Sequence, residues 1–161
     1  MLITASKNAD AKMRKISKEI SAHLPGFKYV PRSFRPLLKI CALADAKGEG
    51  AIFILLKKEG KIVLQKYFIE EKKWRWDEKG IGILSAEFFS RADDLPIKLI
   101  AKGKEGGKIA EFFCLKTDAL CARGFECSPL KIEAGKGSLK IFFNKNKCMQ
   151  IKYMWEKLRG E

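Results

Sequence analysis

Residues Ala51 to Leu56 read Ala-Ile-Phe-Ile-Leu-Leu, the longest uninterrupted apolar run in the chain. Six apolar residues in succession are too few to cross a bilayer, and they leave no polar side for water. Such a run suits a β-strand covered on both faces, and a strand in that position needs helices above and below its sheet. Glu59-Gly60 then turns the chain into a second strand over Ile62 to Ile69. The run therefore predicts mixed α/β layers.

The residues ahead of it supply the covering elements. Leu2-Ile3-Thr4 reads as a short strand, and Ser6 or Asn8 can cap the helix that follows. Met13, Ile16, Ile20 and Leu24 recur at helical spacing, while Lys7, Arg14, Lys15 and Lys18 fall on the opposite side. Pro25-Gly26 stops this helix, and Phe27 to Val30 has the look of a short strand. Ser33 can cap a second helix with Pro36 in its first turn, where no N–H is missed. Leu37, Leu38, Cys41, Ala42 and Ala44 supply the apolar side of that helix until Gly48 closes it.

Beyond the hairpin the pattern weakens. Glu70 to Gly80 is charged and is expected to connect two halves. Ile81 to Leu84 and Ile97 to Ala101 are expected strands, the glycine-rich Gly103 to Gly107 a link, and Lys108 to about Ala122 a helix. Leu139, Ile141 and Phe143 alternate with polar residues, as do Ile151, Tyr153 and Trp155, which predicts a hairpin turning at Asn144 to Lys147. Helix followed by hairpin thus occurs twice. With 161 residues, 47% of them apolar, one domain of two similar halves is expected, about 1–70 and 81–158 with the connection at 70–80.

Charge narrows the class of partner. Lys and Arg number 33 against 19 Asp and Glu, a net charge of +14, and such an excess attracts polyanions. Residues 1–39 carry +7 and residues 131–160 carry +6, while the 91 residues between carry +2. If the two basic ends meet, they make one broad positive face; a lysine-rich surface serving solubility is the alternative.

Little in the sequence is suited to catalysis. His23 is the single histidine, and as a helix C-terminal or packing residue it needs no catalytic role. The pairs Glu70-Glu71, Asp77-Glu78 and Asp93-Asp94 read as solvated loop charges. Gly103-Lys104-Glu105-Gly106-Gly107-Lys108 is one residue short of a phosphate loop, and Ile109 stands where a hydroxyl belongs. Five cysteines, none in a Cys-x-x-Cys pair, suggest neither a disulfide framework nor a zinc site. No cofactor, metal or small-molecule substrate is expected. With no apolar segment of signal-peptide type, a cytoplasmic protein without a membrane partner is the expectation.

Two groups of residues have a positive mechanism. Lys7, Lys12, Arg14, Lys15 and Lys18 on or near the first helix, joined by Arg32 and Arg35 at the start of the second, can hold phosphates close to helix N-termini; the alternative is an ordinary solvated helix face. Lys72-Lys73-Trp74-Arg75-Trp76 mixes cations with aromatic rings, which single-stranded RNA uses for backbone contact and base stacking. Equally, both tryptophans can be buried anchors.

Leu2-Ile3-Thr4-Ala5-Ser6, the basic helix behind it, its end at Leu24-Pro25-Gly26 and Arg32 after the next strand together resemble the opening of the Brix domain of ribosome-biogenesis proteins. The resemblance covers about residues 1 to 70 and is thin beyond, where no clear Gly-Pro-Arg motif occurs; the length is similar to that of the short archaeal members. It implies an α/β (α+β) fold of two pseudo-repeated halves, each similar to a class IIa anticodon-binding domain, with helices packed on mixed sheets. It also implies a non-catalytic factor that binds pre-rRNA, with small guide RNAs and ribosome-assembly proteins as further candidate partners. A small metal-dependent RNA-processing enzyme and a basic DNA-binding or protein-interaction module stand as alternatives.

Overall fold

The apolar run becomes the centre of a sheet. The computed structural model describes residues 1–33, 35–70, 73–89, 97–115, 128–135, 137–143 and 146–158, with backbone alone at 97–100, 102, 128–132 and 143. The elements are β1 (Leu2–Ala5), α1 (Ala11–His23), β2 (Lys28–Tyr29), α2 (Leu37–Ala46), β3 (Ala51–Lys58), β4 (Lys61–Glu70), β5 (Lys73–Phe88), β6 (Ile97–Lys102), α3 (Gly103–Phe112), β7 (Ser128–Gly135), β8 (Ser138–Phe143) and β9 (Asn146–Lys157). The protein is thus mixed α/β, as its sequence indicates. It divides into two compact units, residues 1–84 with 154–161, and residues 85–153.

In the first unit the strand order is β2-β1-β3-β4-β5. β1 pairs in parallel with both β2 and β3, while β3–β4 and β4–β5 are antiparallel. Ala51 to Leu55 are all buried, at 3% exposure or less, because each face has its own helix. Leu2, Ile52, Ile54, Tyr67 and Ile69 pack with Ile40, Cys41 and Ala44 of α2. Side chains alternate along a strand, so Ile3, Ala5, Phe53 and Leu55 point the other way, toward the buried Met13, Ile16 and Ile20 of α1. Phe27 closes that layer, its ring 5.0 Å from Phe53.

Local details depart from the expected ones in ways with physical causes. The cap of α1 is neither Ser6 nor Asn8 but Asp10, whose Oδ1 accepts the Met13 N–H at 2.8 Å. The Ser6 N–H instead extends the sheet by donating to the Leu55 carbonyl, and an ionised carboxylate suits a helix N-terminus better than a neutral side chain. The second helix starts at Leu37 with Pro36, not Ser33, at its cap position; Ser33 sits in a turn at φ 46°. His23 fills the role of a packing residue: it is 3% exposed, and its Nδ1 lies 2.7 Å from the Glu19 carbonyl, which can only accept.

Residues 73–80, expected as a connection, are strand. A bulge carries β5 past β4: Gln65 pairs with Gly80 and Tyr67 with Trp76, so Asp77, Glu78 and Lys79 oppose the single residue Lys66. Lys66 is buried, and its ammonium finds the Asp77 carboxylate at 3.7 Å and the Phe68 ring at 4.4 Å. Gly80 sits where space is tight: a Cβ there would lie 2.8 Å from the tip of the Leu158 side chain and 3.2 Å from the Leu64 carbonyl oxygen.

In the second unit β6 and β7 are parallel and β7–β8 and β8–β9 antiparallel. Strand, helix, parallel strand and antiparallel hairpin follow one another here as β6-α3-β7-β8, and in the first unit as β1, its helices, β3 and β4. The strand β7 went unseen in the sequence: Leu130, Ile132 and Ala134 do alternate with Lys131 and Glu133, but the run is short and sits between Ser128-Pro129 and Gly135, residues that read as turn. Gly103 to Gly107 is not a link but the first half of α3, which buries Gly106, Ile109, Ala110 and Phe112 at helical spacing. Glu105 and Lys108 pair along it at 2.7 Å. The helix ends at Phe112, short of the expected Ala122: residues 113 and 114 form a turn with Cys114 at φ 53°, and residues 116–122 lie outside the described residues.

Candidate nucleic-acid interface

Helix α1 is divided cleanly. At 3.6 residues per turn, Met13, Ile16, Ser17, Ile20 and His23 cover the buried side, and Arg14, Lys18, Lys15 and Lys12 follow one another around roughly 160° of the outer side. All four are exposed, as is Lys7. Lys7 stands in the turn before Asp10 rather than on the helix, so it extends the ridge lengthwise instead of sharing its arc. None of the five has a carboxylate partner among the described residues, whereas Lys61, Lys66, Arg75 and Lys108 do. Lys18 reaches over the Tyr29 ring at 5.7 Å, joining the ridge to the β2 edge, where Lys28 is exposed. Tyr29 was not singled out in the sequence.

Arg32 and Arg35 belong to the turn ahead of α2. The Arg32 Nε donates to the Arg35 carbonyl at 3.1 Å, which holds the half-buried guanidinium in place. Its charge acts on Cys41: burial pushes the Cys41 thiol above its ordinary pKa, and Arg32 opposes that shift.

Strand pairing separates the aromatic and cationic residues of the segment at 72–76. Lys72 lies outside the described residues. Trp74 is opposite Ile69 and Trp76 opposite Tyr67, so both rings stand on the face that α2 covers. Arg75 is opposite Phe68 and points to the other face, where its guanidinium lies 4.6 Å from the Phe68 ring and 3.6 Å from the Glu70 carboxylate. The two tryptophans also differ: Trp76 packs against the core, while Trp74 is 37% exposed. Their rings and that of Tyr67 form one cluster, with centroids 5.8 to 6.5 Å apart. The ridge of α1 and the tryptophans are therefore on opposite faces of the sheet, and the structure does not unite them in one patch.

Beside Trp74 lies a feature that sequence reasoning missed. Helix α2 and the paired ends of β4 and β5 flank a half-open cavity of about 310 Å³, lined by Leu38, Ala42, Asp45 and Ala46 of the helix with Ile69 and Trp74 of the strands. The signal for it was the helix itself: Leu-Leu-Lys-Ile-Cys-Ala-Leu-Ala-Asp-Ala is apolar nearly all round, more than one sheet contact can cover. Leu38 accordingly stays 64% exposed.

Among the described residues no three His, Cys, Asp or Glu side chains come together as metal ligands, and no helix is long and apolar enough to cross a membrane.

No protein-family model matches the sequence, and neither does any curated protein. Solved structures do match. A probable ribosomal biogenesis protein from Aeropyrum pernix K1 superposes with a TM-score of 0.66 at 15% identity, over 99% of this chain and 96% of that one. Mil, an archaeal Imp4-like protein, superposes with a TM-score of 0.65 at 13% identity, over 98% of this chain and 99% of that one. The chain has the fold of these archaeal proteins, and the Brix-domain resemblance of its sequence is shown at the level of that fold.

Proposed function

We propose that this protein is a non-catalytic ribosome-biogenesis factor that binds rRNA, and that it assists pre-rRNA processing and subunit assembly together with other assembly proteins. The observation that carries the reading is the α1 ridge, five exposed cations without carboxylate partners among the described residues, on a chain of net charge +14. A surface selected for solubility alone mixes both signs, whereas this one leaves its cations open to phosphate. The fold shared with a probable ribosomal biogenesis protein and an Imp4-like protein gives the same direction. Lys7, Lys12, Arg14, Lys15 and Lys18 hold backbone phosphates; Arg32, Arg35, Lys73 and Arg75 add cations elsewhere, and Trp74 receives an unpaired base.

Competition between a structured ribosomal RNA fragment and duplex DNA of equal length tests it. An RNA-binding factor prefers the RNA, whose 2′-hydroxyls and splayed bases DNA lacks. Equal affinity for both indicates a general polyanion binder and contradicts the reading, and divalent-dependent cleavage of the RNA contradicts its non-catalytic part.

A further inference from the structure

We infer that the cavity between α2 and Trp74 is a pocket for one unpaired guanine base, a reading that rests on the RNA-binding function proposed above. The cavity has the size and chemistry of a base site. Its 310 Å³ is lined mainly by apolar side chains, with Cys41 and Ile69 buried at its base. Trp74 lines it, and the rings of Tyr67 and Trp76 lie 5.8 and 6.5 Å from the Trp74 ring. A ring held in that way is a preformed stacking surface, and stacking on aromatic side chains is how proteins take up splayed bases.

Asp45 selects among the bases. It lines the cavity and is exposed, and its carboxylate has no ion-pair or hydrogen-bond partner among the described residues. It also stands in the last turn of α2, where the helix dipole disfavours a negative charge. For stability it is the wrong residue at that position. A carboxylate only accepts hydrogen bonds, and guanine is the base whose Watson–Crick edge presents two adjacent donors, N1–H and the N2 amino group. The two carboxylate oxygens match that pair, while adenine offers one donor. Lys73 also borders the cavity and supplies a cation for the phosphate of the same nucleotide.

The test is the affinity of the whole protein for oligouridine carrying one central guanosine, one central adenosine or no purine, read by anisotropy of labelled RNA. Guanosine should tighten binding about tenfold over adenosine, the scale of one bidentate base contact. Asp45→Asn should erase that ratio; Ala42→Leu, which fills the cavity from an exposed helix position, should erase it too, so the result does not depend on altering the core at Trp74. If Asp45→Asn strengthens binding to all three oligomers equally, the residue acts only as a repelling charge, and the pocket is overturned while RNA binding stands. An unchanged guanosine preference in both variants also overturns it, as does absence of any preference in the parent, which leaves the groove to an apolar side chain of a protein partner. Failure of all three oligomers and of structured RNA to bind removes the function itself.

Discussion

Replacing Asp77 by Asn should destabilise the protein more than replacing Lys66 by Met, although the two residues form a single ion pair. Lys66 is 4% exposed, and the Asp77 carboxylate lies 3.7 Å from its ammonium with 23% of that side chain still open to water. At such a separation the attraction is about 4 kcal/mol for an effective dielectric near 20. Asp77→Asn removes that attraction while the buried ammonium keeps its desolvation cost, offset by the Phe68 ring and its other contacts. A loss of about 2 to 3 kcal/mol follows, at or just below the roughly 3 to 5 kcal/mol that breaking a fully buried pair costs, because Asp77 is partly open to water. Lys66→Met removes the buried charge together with its cost, and the partly open Asp77 recovers hydration, so the net change should stay within about 1 kcal/mol. Urea unfolding of the parent, both single variants and the double variant measures all the terms in one cycle. Asp77→Asn proving neutral, or Lys66→Met costing as much, would refute the assignment of Asp77 as the counter-ion that lets a lysine sit inside this sheet.

Other consequences are local. Gly137 has φ 71°, and a Cβ there would lie 2.9 Å from the Tyr153 carbonyl; Gly60 has φ 77° with nothing within 4 Å. Gly137→Ala should therefore cost about 2 to 3 kcal/mol in thermal unfolding and Gly60→Ala about 1 to 2, and equal losses would contradict the close approach. Asp10→Ala should cost about 1 kcal/mol through removal of the helix cap, with Ser6→Ala and Asn8→Ala each costing clearly less. Because burial raises the Cys41 pKa, its contribution to stability is complete below the unfolded thiol value and is lost as the pH rises through the raised one. Arg32→Ala should move that thiol further up, seen as an alkaline shift in the pH profile of Cys41 alkylation; an acid shift would show that Arg32 does not act on it.

How much of this could be read from the sequence differs between the halves, for a physical reason. In the first, the run at Ala51 to Leu56 is apolar because two helices cover it, and α1 separates charge from apolar residues with full helical periodicity. Both patterns survive in the letters. In the second, α3 opens on a glycine-rich stretch in which Gly106 alone is a buried glycine, so its first half reads as loop, and the alternation of β7 from Leu130 to Ala134 is short and framed by Pro129 and Gly135. The candidate site divides in the same way. The α1 ridge was visible because one element carries it. The separation of Trp74 from Arg75 follows from strand pairing, and the cavity at Asp45 arises only when α2 meets β4 and β5, so contiguous letters such as Lys-Trp-Arg-Trp suggested a single patch where the sheet makes two faces.

The salt dependence of affinity is the sharpest check on the proposed RNA binding through the cations of α1. Binding of a structured ribosomal RNA fragment should weaken linearly in log–log form as salt rises. For Arg14→Ala/Lys18→Ala the slope should shrink by up to about 0.7 to 0.9 for each phosphate that the two cations neutralise in the parent. The opposite finding, a variant whose affinity and slope equal those of the parent, would place the RNA elsewhere and remove the ridge from the interface.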